Sequence, residues 1–449
     1  TIFFTLFFTT FSKHKIYHSI ARKVIIDDFL PVGAENEFLC CHTTNRNELW
    51  LALLEKAYMK VNGGYQFPGS NSGIDLHSLT GWIPEDVYID EQGFQKDAVW
   101  TRIRDGYELG ACLITVSTGQ LTPQLQEQLG LHPMHAYAVL DVREVRGHFL
   151  LQIKNPWTHK RWRGKFSPDD KKSWSRELLE ELNYDLLGAL EYDNGVFWID
   201  YNSLCSYFAV IHLSWKPELF QYTTSVHAHW KDDEKPMLGR DTYSFDNNPQ
   251  FKLEMQGKGS AWIMLTRHVT NIENRNDQFL TLHAFPTGNK IFYRGGNQPQ
   301  PLVEGVYSNN PMYRVCLNNT SSNGASCFTL IVSQHQQICS STYTIRIYSS
   351  VPCALSAIPA SLQYKQEVRS SWTMHNSGGS CNNTSTYRIN PQYLVKVPQQ
   401  KTNLIFKLET NQDKHHVNIM VCNSQGARVV QATTNVVLAS SGNYRNAFC

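Results

Sequence analysis

The segment from residue 135 to residue 157 constrains the fold of this chain more than any other stretch of its sequence. It contains two runs rich in β-branched and aromatic residues, 135–145 and 149–153, and the pair Arg146-Gly147 between them is a turn signal. Two such runs around a short polar break predict an antiparallel β-hairpin.

The predicted hairpin brings a histidine and an asparagine together at its open end. His135 and Asn155 are each ten residues from Val145, so a turn centred on Val145 would make them direct cross-strand partners. Their Cβ atoms would then lie roughly 4.5–5.5 Å apart. Pro156 favours an extended backbone at Asn155, which suits the end of a strand.

A histidine beside a carboxamide is two thirds of a cysteine-protease triad. The imidazole takes the proton of a thiol, and the amide oxygen accepts a hydrogen bond from the other ring nitrogen, which fixes the tautomer. Both residue types are also common at strand ends, so a hairpin with a polar rim is the alternative. Spacing alone leaves both interpretations open.

The sequences of the two predicted strands resemble the second half of the calpain protease core. His-Ala-Tyr-Ala-Val begins the first strand, and Lys-Asn-Pro-Trp ends the second. In calpains these residues belong to a Cys–His–Asn triad whose Asn is shielded by the Trp, which implies His135 and Asn155 as triad members and Trp157 as their shield. Other short motifs resemble calpain sequences and occur in the same order as in that family: Asp27-Asp28 with Leu30-Pro31, Leu53–Lys60, Leu79–Gly81 and Trp162–Ser167.

Length and composition limit the classes of protein that fit. With 449 residues the chain can form two to four domains, and 12% aromatic residues favour β-rich globular structure. The 41 basic and 39 acidic residues are balanced, so no bulk electrostatic attraction to nucleic acid is expected.

Cysteine usage and the first residues favour an intracellular, cytoplasmic protein without a membrane span. The eleven cysteines include no Cys-x-x-Cys pair, and an odd number suits reduced thiols. The apolar run 1–11 is too short for a membrane span and lacks the layout of a signal peptide. The glycosylation sequons at Asn318, Asn319 and Asn383 would fit secretion, but such tripeptides often arise by chance. Both ends of the chain are expected to be cut, with 1–21 as a non-core extension.

Residues 22–216 are predicted to form an α+β subdomain, the papain-like second half of a protease core with an antiparallel sheet and helices. The predicted elements are a strand from Val24, a helix capped by Asn47 and ended by Gly63-Gly64, a flexible loop 67–73, a buried strand Cys112–Ser117, a helix capped by Ser175, a strand near Val196, and a short helix capped by Asp200.

From residue 217 short alternating runs predict two antiparallel β-sandwiches, 217–358 and an incomplete one at 359–449. Trp230 and Trp372 each precede an Asn-Pro-Gln-aromatic sequence by eighteen residues, so the pattern repeats after 142 residues. Each repeat should open a strand, with inward residues Phe251, Leu253 and Met255 in the first and Tyr393, Val395 and Val397 in the second; a later strand should begin at Asn310–Tyr313. Tandem sandwiches of this type resemble the calpain-seven or PalB-like branch of the family.

The attacking thiol is not expected among these residues. Calpains place it in a helix-opening Gly-x-Cys-Trp segment, which this sequence lacks. Cys40, Cys41, Cys112 and Cys205 have no helix N-terminus with an adjacent cation to lower the thiol pKa. We therefore expect that this chain is a C-terminal fragment that carries the general base and the residue that orients it. By itself it should be inactive.

The resemblance also implies no cofactor and makes calcium dependence doubtful. Positions where other calpains have calcium-binding carboxylates hold Arg161, Pro168, Asn194 and Val196, leaving Asp193 alone. We expect no high-affinity calcium site on residues 22–216. No metal is expected at His227 with His229 or at His415 with His416, because no cysteine or carboxylate stands at ligand spacing.

Two functions from different classes follow. The first is the C-terminal part of a calpain-like cysteine endopeptidase that cuts proteins in extended segments, with Met134, which replaces a glycine of other calpains, as a substrate-cleft residue. The second is a non-catalytic scaffold whose sandwiches bind proteins or membranes. By family resemblance, endosomal-sorting or membrane-associated proteins are the expected partners, and no nucleic acid is expected.

Overall fold

The structure is a computed structural model of the 449-residue chain. It describes residues 2–4, 16–18, 20–22, 24–43, 45, 47–66, 70–157, 160–230, 244–268, 278–294, 298–321, 324–335, 340–359, 364, 366–397, 404–410, 415–442 and 444–446. The chain divides into two compact units, residues 1–290 with 301–358, and residues 291–300 with 359–449. The finer domain limits drawn from the sequence stay predictions.

The first part of the chain consists of short strands and two helices. These are β1 (Ile2–Phe4), β2 (Ile16–His18), β3 (Ile20–Arg22), β4 (Val24–Ile26), α1 (Trp50–Val61) and α2 (Ser72–Thr80). Ile26 of β4 packs against Leu53 and Ala57 of α1 in a small separate core.

The predicted N-cap of α1 was wrong. The capping position is Leu49, and no side chain caps the helix. Asn47 instead donates its backbone N–H to Asn45 Oδ1 at 3.2 Å. This bond closes a turn before the helix, which begins at Trp50. The predicted end at Gly63-Gly64 is confirmed, because both have positive φ and the Gly64 N–H binds the Met59 carbonyl at 2.7 Å.

The predicted loop 67–73 is only partly a loop. Asn71 accepts a hydrogen bond from the N–H of Ile74 at 3.0 Å and so caps α2, which already contains Ser72 and Gly73. The sequence Ser-Asn-Ser-Gly resembles a flexible linker, but its Asn is a helix cap. Residues 67–69 lie outside the described residues.

A six-stranded antiparallel sheet with the strand order β5-β10-β6-β7-β8-β9 forms the next layer. Its elements along the chain are β5 (Ile83–Tyr88), α3 (Lys96–Glu108), β6 (Cys112–Ser117), α4 (Pro123–Leu129), β7 (Ala136–Val145), β8 (His148–Lys154), α5 (Arg176–Glu181), α6 (Leu186–Glu191), β9 (Val196–Asp200), α7 (Tyr201–Tyr207) and β10 (Val210–Trp215). The predicted caps are present: Ser175 accepts from the N–H of Leu178, and Asp200 accepts from the N–H of Ser203.

Two four-stranded antiparallel sheets follow, with the orders β11-β17-β13-β15 and β14-β16-β12-β18. Their strands are β11 (Tyr222–Trp230), β12 (Gln250–Gln256), β13 (Gly259–Arg267), β14 (Leu280–Phe285), β15 (Met312–Asn319), β16 (Ala325–Gln334), β17 (Ser341–Ser349) and β18 (Cys353–Ile358). Residues of both sheets share one buried core, so they form a sandwich. The predicted inward residues Phe251, Leu253 and Met255 are buried in it, and β15 begins where predicted.

The second repeat does not form the predicted strand. Pro391–Val397 has no ladder partner among the described residues, and Tyr393, Val395 and Val397 are exposed. Alternation alone does not make a strand, because the backbone also needs a neighbour to bind. The strands described in this unit are β19 (His416–Val417), β20 (Met420–Cys422), β21 (Val437–Ser440) and β22 (Arg445–Asn446), in two short antiparallel pairs.

The carboxylate of Glu85 joins the six-stranded sheet to the first sandwich. Arg102 of α3 binds it, Trp215 Nε1 donates to it at 2.7 Å, and Arg314 of β15 lies 2.9 Å away. The Arg314 guanidinium also stacks 4.5 Å from the ring of Trp262. The sandwich is therefore attached through a charged group with only a tenth of its side chain exposed.

Candidate active site

The predicted hairpin is present, but its turn and register differ from the expectation. Val145 pairs with His148 across a two-residue turn formed by Arg146 and Gly147, whose φ values of 49° and 75° are those of the tight turns that suit hairpins. The turn is therefore centred after Val145. The prediction that His135 and Asn155 are directly opposite was wrong.

A β-bulge compensates for the shifted turn. The ladder pairs Asp141 with Gln152 but Val139 with Ile153, so Leu140 is an extra residue on the first strand. Continuing the register one residue beyond the last pair sets Asn155 opposite Tyr137. Without the extra residue, the register between Asp141 and the turn would continue along the strand and place Asn155 opposite Ala138. Its side chain would then lie on the other face of the sheet from His135. The bulge thus puts both side chains on one face.

The two predicted residues make a hydrogen bond. His135 Nε2 lies 2.9 Å from Asn155 Oδ1, and both side chains are buried, with 9% and 0% of the residue exposed. An amide oxygen only accepts, so Nε2 carries the proton. In the neutral ring Nδ1 is then the acceptor, which is the tautomer that a general base requires.

Asn155 is fixed by the backbone around it. Its N–H donates to the carbonyl of Gly195 at 2.9 Å, and its Nδ2 donates to the carbonyl of Lys160 at 2.9 Å. Its Oδ1 also accepts the N–H of Trp157 at 3.1 Å. These bonds fix which end of the carboxamide faces His135.

Thr118, which sequence reasoning missed, holds the backbone of His135. Its hydroxyl accepts the N–H of His135 at 3.1 Å and donates to the carbonyl of His132 at 2.6 Å. Its N–H donates to the carbonyl of His135 at 3.0 Å. Thr118 follows β6, and no motif marks it, since its role depends on the pairing of β6 with β7.

Trp157 covers the imidazole of His135, with ring centroids 4.2 Å apart, while 60% of Trp157 remains exposed. His132, which the sequence did not single out, also packs against it at 4.8 Å. Trp157, the expected shielding residue, therefore lies over the imidazole of His135.

The electrostatics favour a neutral base. Burial lowers the pKa of His135, and its hydrogen bond to Asn155 opposes that effect in part. Burial, Lys160 and His135 also lower the pKa of His132. At neutral pH His135 is thus ready to accept a proton.

Met134 precedes the base in a left-handed conformation, with φ of 48°. Its N–H donates to the carbonyl of Gly119 at 3.0 Å, and 70% of the residue is exposed. Its side chain is therefore accessible beside His135.

The sequence matches the calpain family cysteine protease domain over residues 10–214 and domain III of the calpain large subunit over residues 368–440. This chain belongs to the calpain family. Calpain-7 of Homo sapiens is 40% identical over 447 residues, covering 96% of this chain and 53% of the relative. The calpain-like protease palB of Emericella nidulans is 32% identical over 440 residues, covering 96% of this chain and 49% of the relative. The chain spans about half the length of the curated relatives it matches.

A calpain needs an activated thiol, whereas seven of the nine described cysteines have a raised thiol pKa. Burial raises the pKa of Cys112 to about 12 and that of Cys41 to about 11. The pKa values of Cys40, Cys205, Cys316, Cys353 and Cys422 are also raised, with burial as the main cause. Cys339 and Cys449 lie outside the described residues. The seven thiols with raised pKa values do not resemble a nucleophile.

Arg161, at one of the positions expected from the family resemblance to correspond to a calcium ligand, is mostly buried. Arg161 Nη1 lies 3.9 Å from Asp193 and donates to the carbonyl of Ala189 at 2.5 Å. Asn194 Oδ1 accepts the N–H of Val196 at 3.0 Å. Among the described contacts, none joins Pro168 to Arg161 or Asn194. The expectation of no high-affinity calcium site stays a prediction.

The paired histidines have the surroundings of strand residues. His227 and His229 bind the hydroxyls of Thr344 and Thr342 across the β11–β17 ladder. Among the described residues no three His, Cys, Asp or Glu side chains are grouped to hold a metal ion, and no helix is long and apolar enough to cross a membrane.

Proposed function

We propose that this chain contributes the general base and its orienter to a calpain-type cysteine endopeptidase. His135 is the base, Asn155 orients it, and Trp157 shields the pair. The contact of 2.9 Å between His135 Nε2 and the fully buried Asn155 Oδ1 carries this proposal.

The chemistry follows from the tautomer. His135 Nδ1 takes the proton of a thiol, and the thiolate attacks the carbonyl carbon of a peptide bond. The imidazolium returns its proton to the leaving amine, and a covalent thioester remains. His135 then takes a proton from water, whose oxygen attacks the thioester and releases the carboxylic acid product and the thiol. Throughout, Asn155 Oδ1 accepts from Nε2–H and holds the ring plane.

The thiol is proposed to come from a segment of the protein outside this sequence, because the sequence lacks the Gly-x-Cys-Trp segment in which calpains place it and because burial raises the thiol pKa of Cys41 and Cys112. The chain alone should then not cleave peptides. Proteins with extended segments are the proposed substrates, and Met134 beside the base is proposed to limit which side chains fit. Endosomal-sorting or membrane-associated partners, like a cytoplasmic location, stay predictions from family resemblance.

A non-catalytic scaffold is the second candidate. The raised thiol pKa values of Cys41 and Cys112 favour it, and the first sandwich would supply a binding surface. A protein without a nucleophile would keep the fold and lose the reaction.

The test uses the longest reading frame that contains this chain. Cleavage of an unfolded protein substrate is measured for the unaltered protein, for His135→Gln and for the matched hairpin control His148→Gln. Loss of the base is expected to slow cleavage about 10²–10⁴-fold, whereas the control cleaves normally.

Labelling with a peptide epoxysuccinate and locating the modified residue by mass spectrometry identifies the thiol. A cysteine modified only when His135 is present supports the protease. No cleavage and no His135-dependent labelling supports the scaffold.

A further inference from the structure

The carboxamide of Asn155 is held between two loops. Its backbone N–H binds the carbonyl of Gly195 in the turn between α6 and β9, and its Nδ2 binds the carbonyl of Lys160 in the loop after β8. Each bond is 2.9 Å long. The aim of the amide oxygen at His135 therefore depends on how these two loops are held relative to each other.

Arg161 joins the loop after β8 to the end of α6 and to the turn that follows α6. Its guanidinium donates to the carbonyl of Ala189 at 2.5 Å and lies 3.9 Å from the carboxylate of Asp193. Asp193 in turn accepts the N–H of Gly195 at 2.8 Å. Because Arg161 directly follows Lys160 in the chain, the bridge connects the two residues whose carbonyls hold Asn155.

Burial distinguishes this bridge from an ordinary surface ion pair. Only 11% of the Arg161 side chain and 34% of the Asp193 side chain are exposed. Arg161 Nη1 is fixed by its hydrogen bond to the carbonyl of Ala189, and it makes an ion-pair contact with Asp193 at 3.9 Å. The backbone at Lys160 has φ of 71°, a left-handed conformation that a lysine rarely adopts without support from its surroundings.

We propose that the Arg161–Asp193 bridge positions Asn155 for its role toward His135. The bridge sets the distance between the two loops, so that Oδ1 of the carboxamide meets Nε2–H and Nδ1 keeps its acceptor lone pair. This inference rests on the proposed function of His135 and Asn155. Arg161 is a positioning residue, because it acts through Asn155.

The tautomer of His135 is the direct readout, and it needs no cleavage assay. The chain is prepared with ¹⁵N-labelled histidine, and His135→Gln assigns the signals of that ring among the 17 histidines. The ratio of Nε2–H to Nδ1–H tautomer is then read from the ¹⁵N shifts above pH 7. We expect Arg161→Met to lower this ratio about fivefold, the value of one typical hydrogen bond.

Four further variants make the result specific. Arg163→Met is the matched control, since Arg163 lies in the same loop but binds the carbonyl and carboxylate of Glu127. It should leave the ratio unchanged. Arg161→Lys should restore part of the ratio, and Asp193→Asn should lower it less than Arg161→Met. Asn155→Ala should lower it most.

Each outcome decides between the two proposals. An unchanged ratio in Asn155→Ala contradicts the base–orienter pair itself. A lowered ratio in Asn155→Ala with unchanged ratios in Arg161→Met and Asp193→Asn overturns only the positioning role. If thermal unfolding shows that Arg161→Met does not fold, Arg161→Lys and Asp193→Asn decide alone, and unaltered ratios in both reject the inference.

Discussion

His135 Nε2 and Asn155 Oδ1 lie 2.9 Å apart although the two residues are not opposite each other in the hairpin. They meet diagonally, because the extra residue Leu140 shifts the register by one and returns both side chains to the same face. The contact therefore depends on the strand register, the bulge and the loop hydrogen bonds together.

Replacing Asn155 by alanine should destabilise the fold. The carbonyl of Lys160 and the buried Nε2 of His135 would each lose a partner, and a buried polar group left unsatisfied costs about 1–3 kcal/mol. The free energy of unfolding is measured by urea denaturation. Asn202→Ala, on the exposed side of α7, should change it by less than about 0.5 kcal/mol. Equal effects of the two changes would contradict the buried network.

Replacing Trp157 by alanine should raise the pKa of His135. The ring that covers the imidazole would be lost, so water would reach the charged form and burial would lower the pKa less. Histidine signals followed by NMR against pH give the midpoint. Trp157→Phe should have a smaller effect, and Trp50→Ala, which removes a similarly exposed ring on α1, should have none. An unmoved midpoint in Trp157→Ala would remove the shielding role.

Acid should weaken the fold before the carboxylates titrate. The pKa values of His135 and His132 are lowered from 6.5 in the folded chain, so the unfolded chain binds more protons as the pH falls. Their contribution is complete above pH 6.5 and is lost as the pH falls through the lowered values. Each group changes the free energy of unfolding by at most about 1.4 kcal/mol per pH unit. Denaturation between pH 8 and pH 5 should show this slope, and the double variant His132→Gln with His135→Gln should flatten it.

Removing the charge of Glu85 should loosen the first sandwich. This carboxylate binds Arg102 and Arg314, and breaking a buried ion pair costs about 3–5 kcal/mol. Although burial alone would raise it, the pKa of Glu85 is lowered by the two arginines, so the group is ionised at neutral pH. Glu85→Gln is compared with the exposed control Glu91→Gln by denaturation. Matching stabilities would show that the carboxylate does not hold the two parts together.

A glycine at position 134 should suit the backbone better than Met134. The left-handed φ of 48° costs a residue with a side chain about 1–2 kcal/mol, and the greater entropy of unfolded glycine offsets part of that gain. Met134→Gly should therefore stabilise the fold by up to about 1 kcal/mol. Asn183→Gly is the control, because Asn183 has φ of 49° but asparagine tolerates this region. In a complete protease, only the change at Met134 should alter which peptides are cut.

The parts of the fold that the sequence predicted are those set by neighbouring residues. The turn pair Arg146-Gly147, the caps Ser175 and Asp200 and the alternation of Phe251, Leu253 and Met255 each depend on local chemistry. The bulge at Leu140 was not foreseeable, because Leu140 fits the strand pattern as well as its neighbours do.

Other features could not be predicted because they depend on distant parts of the chain. Every residue has a backbone carbonyl, so the sequence does not show that the carbonyls of Lys160 and Gly195 bind Asn155. Thr118 reaches His135 only through the pairing of two strands. Tyr393, Val395 and Val397 have the right alternation, but no described strand pairs with them.

The bulge also restricts how this hairpin can change in length. Deleting a single residue from the first arm would turn the imidazole to the opposite surface of the sheet, while most strand hydrogen bonds would re-form one step along. Such a protein should fold with the side chains of His135 and Asn155 on opposite faces of the hairpin. Insertions and deletions between His135 and Asn155 are therefore tolerated only in combinations that keep both arms in phase.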